Sequence, residues 1–132
     1  MASEQLQDAL ARVVGGDAAA VATLRSGTHA ELVDAYAAAG PQVLRPTAVV
    51  RVLEALRSEE ISPSQAQDWA SFVRWGSLSG SGPESRADLE IEYDPGYETV
   101  VADAVARLDE LGDIVDGTIP PPEMEQLITR LR

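Results

Sequence analysis

Apolar residues recur at every third or fourth position along most of this chain, which is the spacing of amphipathic helices. The first apolar stripe runs from Leu6 to Val14, and the pair Gly15-Gly16 ends it. Similar stripes begin near residues 17, 28, 46, 62, 94 and 119. Together they predict an all-α fold, a compact bundle of six to seven short helices.

Several of the predicted helices begin with residues that cap helix ends. Residues 62–65 are the clearest case: Ser62 can cap the helix, a proline follows at the first helical position, and Gln65 can close a capping box. Two helix starts resemble each other, with the sequences EISP at 60–63 and TIPP at 118–121. Each has an isoleucine before the cap and a proline after it, which we interpret as convergent capping chemistry rather than a repeat.

One short segment departs from the helical pattern. Residues 89–93 alternate apolar and acidic side chains, which is the period of a β-strand. No partner strand is evident, so an extended segment near residues 88–93 that packs on helices is as good an interpretation as a true strand. In an extended backbone, Leu89, Ile91 and Tyr93 share one face. The opposite face then carries four carboxylates, those of Asp88, Glu90, Glu92 and Asp94.

The chain has 132 residues, which suits a single domain. Its first 45 residues are rich in alanine and are expected to form a helical layer, whereas residues 46–132 form an acidic helical portion. Within that portion, residues 76–86 (GSLSGSGPESR) have the composition of a flexible loop. There is no cysteine, which excludes disulfides and thiolate metal sites and fits a reducing compartment.

The expected location of the chain follows from two further sequence features. No stretch approaches the run of about 18 apolar residues that spans a membrane. The first ten residues also lack the basic and apolar regions of a signal peptide. A cytoplasmic location without membrane contact is therefore expected.

Charge is the strongest signal in the composition. Twenty-two acidic residues face ten basic ones, all of them arginine in a lysine-free chain, and the formal net charge is −12. The excess is uneven. Residues 1–58 hold six acids and five arginines, a net of −1, whereas residues 59–132 hold sixteen acids and five arginines, a net of −11. Because such a field repels nucleic acids and attracts basic surfaces, we expect a basic protein partner and no nucleic acid.

Few residues suggest catalysis or metal binding. His29 is the only histidine, and its position beside a helix start favours a structural role. Residues 112–123 partly follow an EF-hand loop, but Gly112 and Ile114 occupy positions that need oxygen ligands. The sequence therefore predicts no metal site, no cofactor and no enzyme. A hydrolase that uses a pair of carboxylates stays open as an alternative.

The acidic face of the extended segment is the candidate binding surface. Two tyrosines accompany its carboxylates, and tyrosine is enriched among the residues that contribute most to protein binding. The predicted partner-binding residues are Glu90, Glu92, Tyr93, Asp94 and Tyr97. A solvated acidic face with structural tyrosines explains the same pattern equally well.

Four short motifs follow one another in the second part of the chain. They are VLEAL at 52–56, EISP at 60–63 leading into DWA at 68–70, and AVARLD at 104–109. In this order they resemble the small helical immunity proteins of bacterial toxin–immunity systems, over roughly residues 49–131. The resemblance implies an all-helical protein that neutralises a cognate toxin by covering the toxin's active site. It identifies no toxin and assigns no contact residue.

Two functions from different classes are compatible with these patterns. The first is an acidic protein-binding domain, an immunity or inhibitor protein that covers the active site of a basic partner such as a toxin nuclease. The second is a non-enzymatic scaffold or adaptor domain, including a homodimer formed through Trp75 and neighbouring apolar residues. In that second function, the acidity would serve solubility.

Overall fold

In a computed structural model, residues 2–25, 29–40, 42–75, 91–111 and 119–132 are described. Within these ranges the chain forms seven α-helices, one short 3-10 helix and a two-stranded parallel sheet. The prediction of an all-α bundle with one short extended segment is therefore confirmed. The loop predicted at residues 76–86 lies outside the described residues.

The helices are short and follow one another closely along the chain. They are α1 (Ala2–Val14), α2 (Val21–Arg25), α3 (His29–Ala39), α4 (Pro46–Arg57), α5 (Pro63–Trp75), α6 (Glu98–Asp109) and α7 (Pro121–Leu131). The 3-10 helix comprises Ala18–Ala20. Strands β1 and β2 comprise Gln42–Leu44 and Ile91–Tyr93.

Three helices begin with local sequence features that favour a helix start, namely a capping box or a proline in the first turn. The capping box predicted for α5 is present: the Gln65 N–H donates to Ser62 Oγ at 3.1 Å, and the Ser62 N–H donates to Gln65 Oε1 at 2.8 Å. Helices α4 and α7 begin with proline in the first turn, where the missing N–H costs no hydrogen bond.

Helix α6 begins later than its sequence suggests. A start at Asp94-Pro95 is predicted, but the helix begins at Glu98. The reason is a turn, in which the Tyr97 N–H donates to the Asp94 carbonyl at 2.8 Å and the Gly96 N–H donates to Asp94 Oδ1 at 3.3 Å. Asp94 therefore stabilises a turn that separates β2 from α6.

Strand β2 has a partner that sequence patterns did not reveal. It pairs in parallel with β1, and the opposed residues are Gln42 and Ile91, Val43 and Glu92, and Leu44 and Tyr93. The Asp94 N–H continues the pairing by donating to the Leu44 carbonyl at 2.9 Å. Strand β1 was missed because three residues are too few to show alternation, and because Gly40-Pro41 resembles a helix end followed by a linker.

One hydrophobic core extends through both the alanine-rich segment and the acidic segment. Helix α1 packs on α2 and α3, α5 packs on α6, and α7 packs on α4 and α6. Valine, leucine and alanine supply most of the buried side chains, together with the fully buried Trp69 and Phe72 of α5. None of the described helices has the length and apolar character needed to cross a bilayer.

The C-terminal end of α1 joins the two parts of the chain. The indole N–H of Trp69 donates to the Val13 carbonyl at 2.6 Å, so the buried indole is hydrogen-bonded inside the core. Gly16 lies so close to α4 that an added Cβ would be 2.5 Å from the Ala48 carbonyl oxygen. An ion pair between Arg25 and Asp68, at 3.1 Å, adds a contact between α2 and α5.

Candidate functional site

The alternation predicted for the extended segment is present in β2. Ile91 and Tyr93 are half-buried and pack against the core, whereas Glu92 between them is exposed. Because the strand is anchored by its apolar side chains and by β1, the direction of the Glu92 side chain is set by the backbone. Glu90, the first predicted partner-binding residue, lies outside the described residues, as do Asp88 and Leu89.

Asp94 stabilises the turn after β2 in addition to carrying a negative charge. Its Oδ1 accepts the Gly96 N–H, and its backbone joins both the sheet and the turn before α6. Its side chain is half-buried. Asp94 therefore adds negative charge beside β2, but its carboxylate is less free to follow a partner than that of Glu92.

The two predicted tyrosines lie in different environments. Tyr97 is 46% exposed and is one of the few large apolar side chains that the described surface shows to solvent. Tyr93 is half-buried, and this burial raises the pKa of its phenol. The positive charge of Arg74 lowers that pKa and the negative charge of Asp109 raises it, but burial has the largest effect. The Tyr93 hydroxyl is therefore a neutral donor at physiological pH, while Tyr97 offers contact area.

A broad groove lies between β2 and α6, with a volume of about 910 Å³. We call it the β2–α6 groove. Its walls combine the strand, the turn that follows it and one face of α6. The lining residues are Arg74, Ile91, Glu92, Tyr93, Pro95, Glu98, Thr99, Ala102 and Asp103.

Sequence reasoning missed the contribution of α6 to this groove. Glu98 and Asp103 line it together with Thr99 and Ala102. The spacing of four residues makes Glu98 a neighbour of Ala102, and Thr99 a neighbour of Asp103, on the surface of α6. That spacing is visible in the sequence. Its meaning depends on α6 packing beside β2, which is a tertiary contact.

The charges of the β2–α6 groove are only partly balanced. Arg74 pairs with Asp109 at 3.1 Å, and Asp103 pairs with Arg130 at 3.1 Å. Glu92 and Glu98 are both exposed, and neither forms an ion pair with a basic side chain in the described part of the chain. Two exposed carboxylates in one groove are therefore available to an external cation.

The structure gives little support or no description for the other candidate residues named from the sequence. Among the described residues, no group of three or more His, Cys, Asp or Glu side chains is placed to hold a metal ion. Most of the EF-hand-like stretch, residues 112–118, lies outside the described residues. The side chains of His29 and Trp75 lie outside them too.

Comparisons with known proteins give no relative. The chain matches no protein-family model, no curated protein and no solved structure. A function is therefore inferred from the geometry and charge of the chain itself.

Proposed function

We propose that this chain is an acidic protein-binding domain that receives basic side chains of a partner in the β2–α6 groove. The observation that carries the proposal is the pair of exposed carboxylates, Glu92 and Glu98, in one groove without an ion pair among the described residues. Tyr97, which precedes Glu98 in the chain, supplies exposed aromatic area of the kind that anchors protein interfaces.

The contribution of these charges is mainly to the rate and specificity of association. An exposed ion pair contributes only about 0–1 kcal/mol of affinity, so two carboxylates alone do not make a tight complex. The surrounding charge has a longer reach, because residues 59–132 carry a net charge of −11. Such a field steers a basic protein toward the groove and weakens as salt rises.

The best-fitting biological role is inhibition of a partner that itself binds phosphates. A nuclease cleft is lined by basic groups, and a carboxylate-rich surface can occupy such a cleft in place of nucleic acid. The resemblance to bacterial immunity proteins over roughly residues 49–131 supports the same role. The partner class is therefore a basic protein, with a toxin nuclease as the leading example.

The test compares two charge reversals of equal size in a pull-down from native lysate at low salt. Glu92→Arg with Glu98→Arg changes the groove, and Glu4→Arg with Asp34→Arg changes two exposed acids of α1 and α3. We expect a basic protein that elutes with salt to bind the wild type and the α1/α3 variant but not the groove variant. With that protein purified, the groove variant should show a slower association rate and a smaller salt dependence.

Two results would contradict the proposal. Equal loss of the partner in both variants would mean that net charge, and not the groove, determines binding. Recovery of only the protein itself would favour the scaffold or homodimer function, which sedimentation at several concentrations would then test.

A further inference from the structure

A second groove lies on a different part of the molecule, where α4 ends and where α5 and α7 begin. Its volume is about 550 Å³, within the range of about 300–1,000 Å³ found for ligand clefts. We call it the α4–α7 groove. It is lined by Leu56, Arg57, Glu59, Glu60, Ile61, Ser62, Pro63, Gln65, Ile119, Pro121 and Met124.

The two similar helix starts both contribute to this groove. Residues 60–63 line it beside the start of α5, and Ile119 and Pro121 line it beside the start of α7. The isoleucine before each cap and the proline after it all contact the same space. The preference of helix starts for proline explains this residue in each sequence separately, but it does not require the two starts to share a groove.

The walls of the α4–α7 groove are held by hydrogen bonds and ion pairs. The capping box at residues 62–65 fixes the start of α5. Arg57 pairs with Glu125 at 3.4 Å, which ties the end of α4 to α7. Arg107 pairs with Glu123 at 2.6 Å, which ties the start of α7 to α6. Because these contacts hold its walls in place, the groove is formed before a ligand binds. Binding would then require little ordering of side chains and loops, which otherwise costs free energy.

The groove has an apolar floor and a charged rim, whose ionisable side chains are Arg57, Glu59 and Glu60. Ile119 and Met124 belong to the core, while Leu56 and Ile61 are only half-buried and show part of their surface to the groove. On the rim, Glu59 and Glu60 are exposed. Neither forms an ion pair with a described arginine.

Glu59 stands in a backbone position that favours glycine. Its φ is +63°, and among the described non-glycine residues it alone has a positive φ. A side chain in this left-handed region costs free energy that glycine avoids. This strained position lies beside an apolar groove, which makes the Glu59 carboxylate a candidate binding group.

We propose that the α4–α7 groove binds a peptide segment of a partner protein in which an apolar side chain adjoins lysine or arginine. The apolar side chain contacts Leu56, Ile61 and Met124, and the adjacent cation lies between Glu59 and Glu60. In such a segment the basic residue complements the two carboxylates of the rim, and the aliphatic or aromatic residue complements the apolar floor. This surface is separate from the β2–α6 groove, so either proposal can fail alone.

The probe is a library of random peptides displayed on phage and selected on the full chain. We expect the enriched peptides to carry Leu, Ile, Met, Phe or Trp within two positions of Lys or Arg. Synthetic copies should bind Glu59→Gly with Glu60→Gln about three- to tenfold more weakly at low salt, and the difference should shrink as salt rises. Ile61→Ser should weaken binding by about tenfold or more, because it removes apolar contact without changing charge.

The control variant is Glu4→Gln with Asp34→Asn, which removes the same number of charges from exposed positions of α1 and α3 and should leave peptide affinity within about twofold. Loss of folding does not explain a loss of affinity in the glycine variant, because Glu59→Gly should raise the melting temperature. The proposal is overturned if no peptide is enriched, or if enriched peptides lack basic residues. It is also overturned if the control variant weakens binding as much as the rim variant does.

Discussion

Helices α1 and α4 end in the same backbone motif, but with different residues at its critical position. At the end of α1, the Gly16 N–H donates to the Val13 carbonyl at 3.0 Å, and the Asp17 N–H donates to the Arg12 carbonyl at 2.9 Å. This pair of bonds defines a Schellman motif, in which the residue after the cap takes a left-handed conformation. In α1 that residue is Gly16, with a φ of +97°.

Helix α4 repeats this pattern of hydrogen bonds with a glutamate in place of the glycine. The Glu59 N–H donates to the Leu56 carbonyl at 3.2 Å, and the Glu60 N–H donates to the Ala55 carbonyl at 2.9 Å. Glu59 has a φ of +63° and an exposed side chain. The motif therefore forms without glycine, at a cost of about 1–2 kcal/mol for the left-handed residue.

The surroundings explain why one position requires glycine and the other does not. Gly16 is buried against Ala48, and any side chain there would collide with the backbone of α4. Glu59 faces the rim of the α4–α7 groove, where space for a side chain exists. Packing sets the residue at the end of α1, whereas the end of α4 is free to carry a carboxylate.

Replacement of Gly16 by alanine should have the largest effect, because it adds two penalties. The left-handed backbone costs about 1–2 kcal/mol, and the contact with the Ala48 carbonyl forces a backbone shift of similar or larger cost. We expect a loss of about 3 kcal/mol in the free energy of unfolding, measured by urea denaturation.

Gly40 provides the matched control for that experiment. It also has a positive φ, +83°, but no atom lies within 4 Å of an added Cβ. Gly40→Ala should therefore cost only about 1–2 kcal/mol, the backbone contribution alone. Equal losses in the two variants would mean that the contact with Ala48 has no energetic weight.

Replacement of Trp69 by phenylalanine should have the next largest effect, because it removes the bond that locks the end of α1. The indole donates to the Val13 carbonyl at 2.6 Å. We expect a loss of about 2–3 kcal/mol from the missing hydrogen bond and the smaller ring.

Phe72 on the same helix separates these two contributions. It is fully buried, so Phe72→Leu removes apolar volume without removing a hydrogen bond. We expect that variant to cost about 1–1.5 kcal/mol. A loss in Trp69→Phe no greater than this would show that the bond to Val13 does not stabilise the end of α1.

The two helix ends also show what the sequence could predict about the fold. Gly15-Gly16 signalled the end of α1, and the apolar stripes located all seven helices. No glycine signalled the end of α4, because Glu59 occupies the position. Strand β1 and the late start of α6 were missed for a similar reason: three residues of strand and a four-residue turn are too short to show a period.

The candidate sites also contain some features that local sequence predicts and others that depend on tertiary packing. The exposed Glu92 and the half-buried Tyr93 follow from strand alternation, which is local. Glu98 and Asp103 join them only because α6 packs beside β2, and the α4–α7 groove exists only because the starts of α5 and α7 meet. Local periodicity predicts which side chains face outward, but the fold decides which of them share a groove.

The smallest effect expected on stability, and the most informative for function, comes from Glu59 itself. Glu59→Gly removes the left-handed strain and should raise the free energy of unfolding by about 1 kcal/mol. Glu59→Ala removes the same carboxylate but keeps a Cβ, so its stability should stay within about 0.5 kcal/mol of the wild type. Urea denaturation of both variants measures the difference.

Peptide binding by the same two variants then separates the effect of the backbone conformation from the effect of the lost carboxylate. If the carboxylate is what the α4–α7 groove needs, both variants should lose affinity equally although only one of them gains stability. If Glu59→Gly is no more stable than Glu59→Ala, the left-handed backbone of Glu59 does not destabilise the fold. Affinity retained in both would mean that the glutamate is tolerated at the end of α4 and not used there.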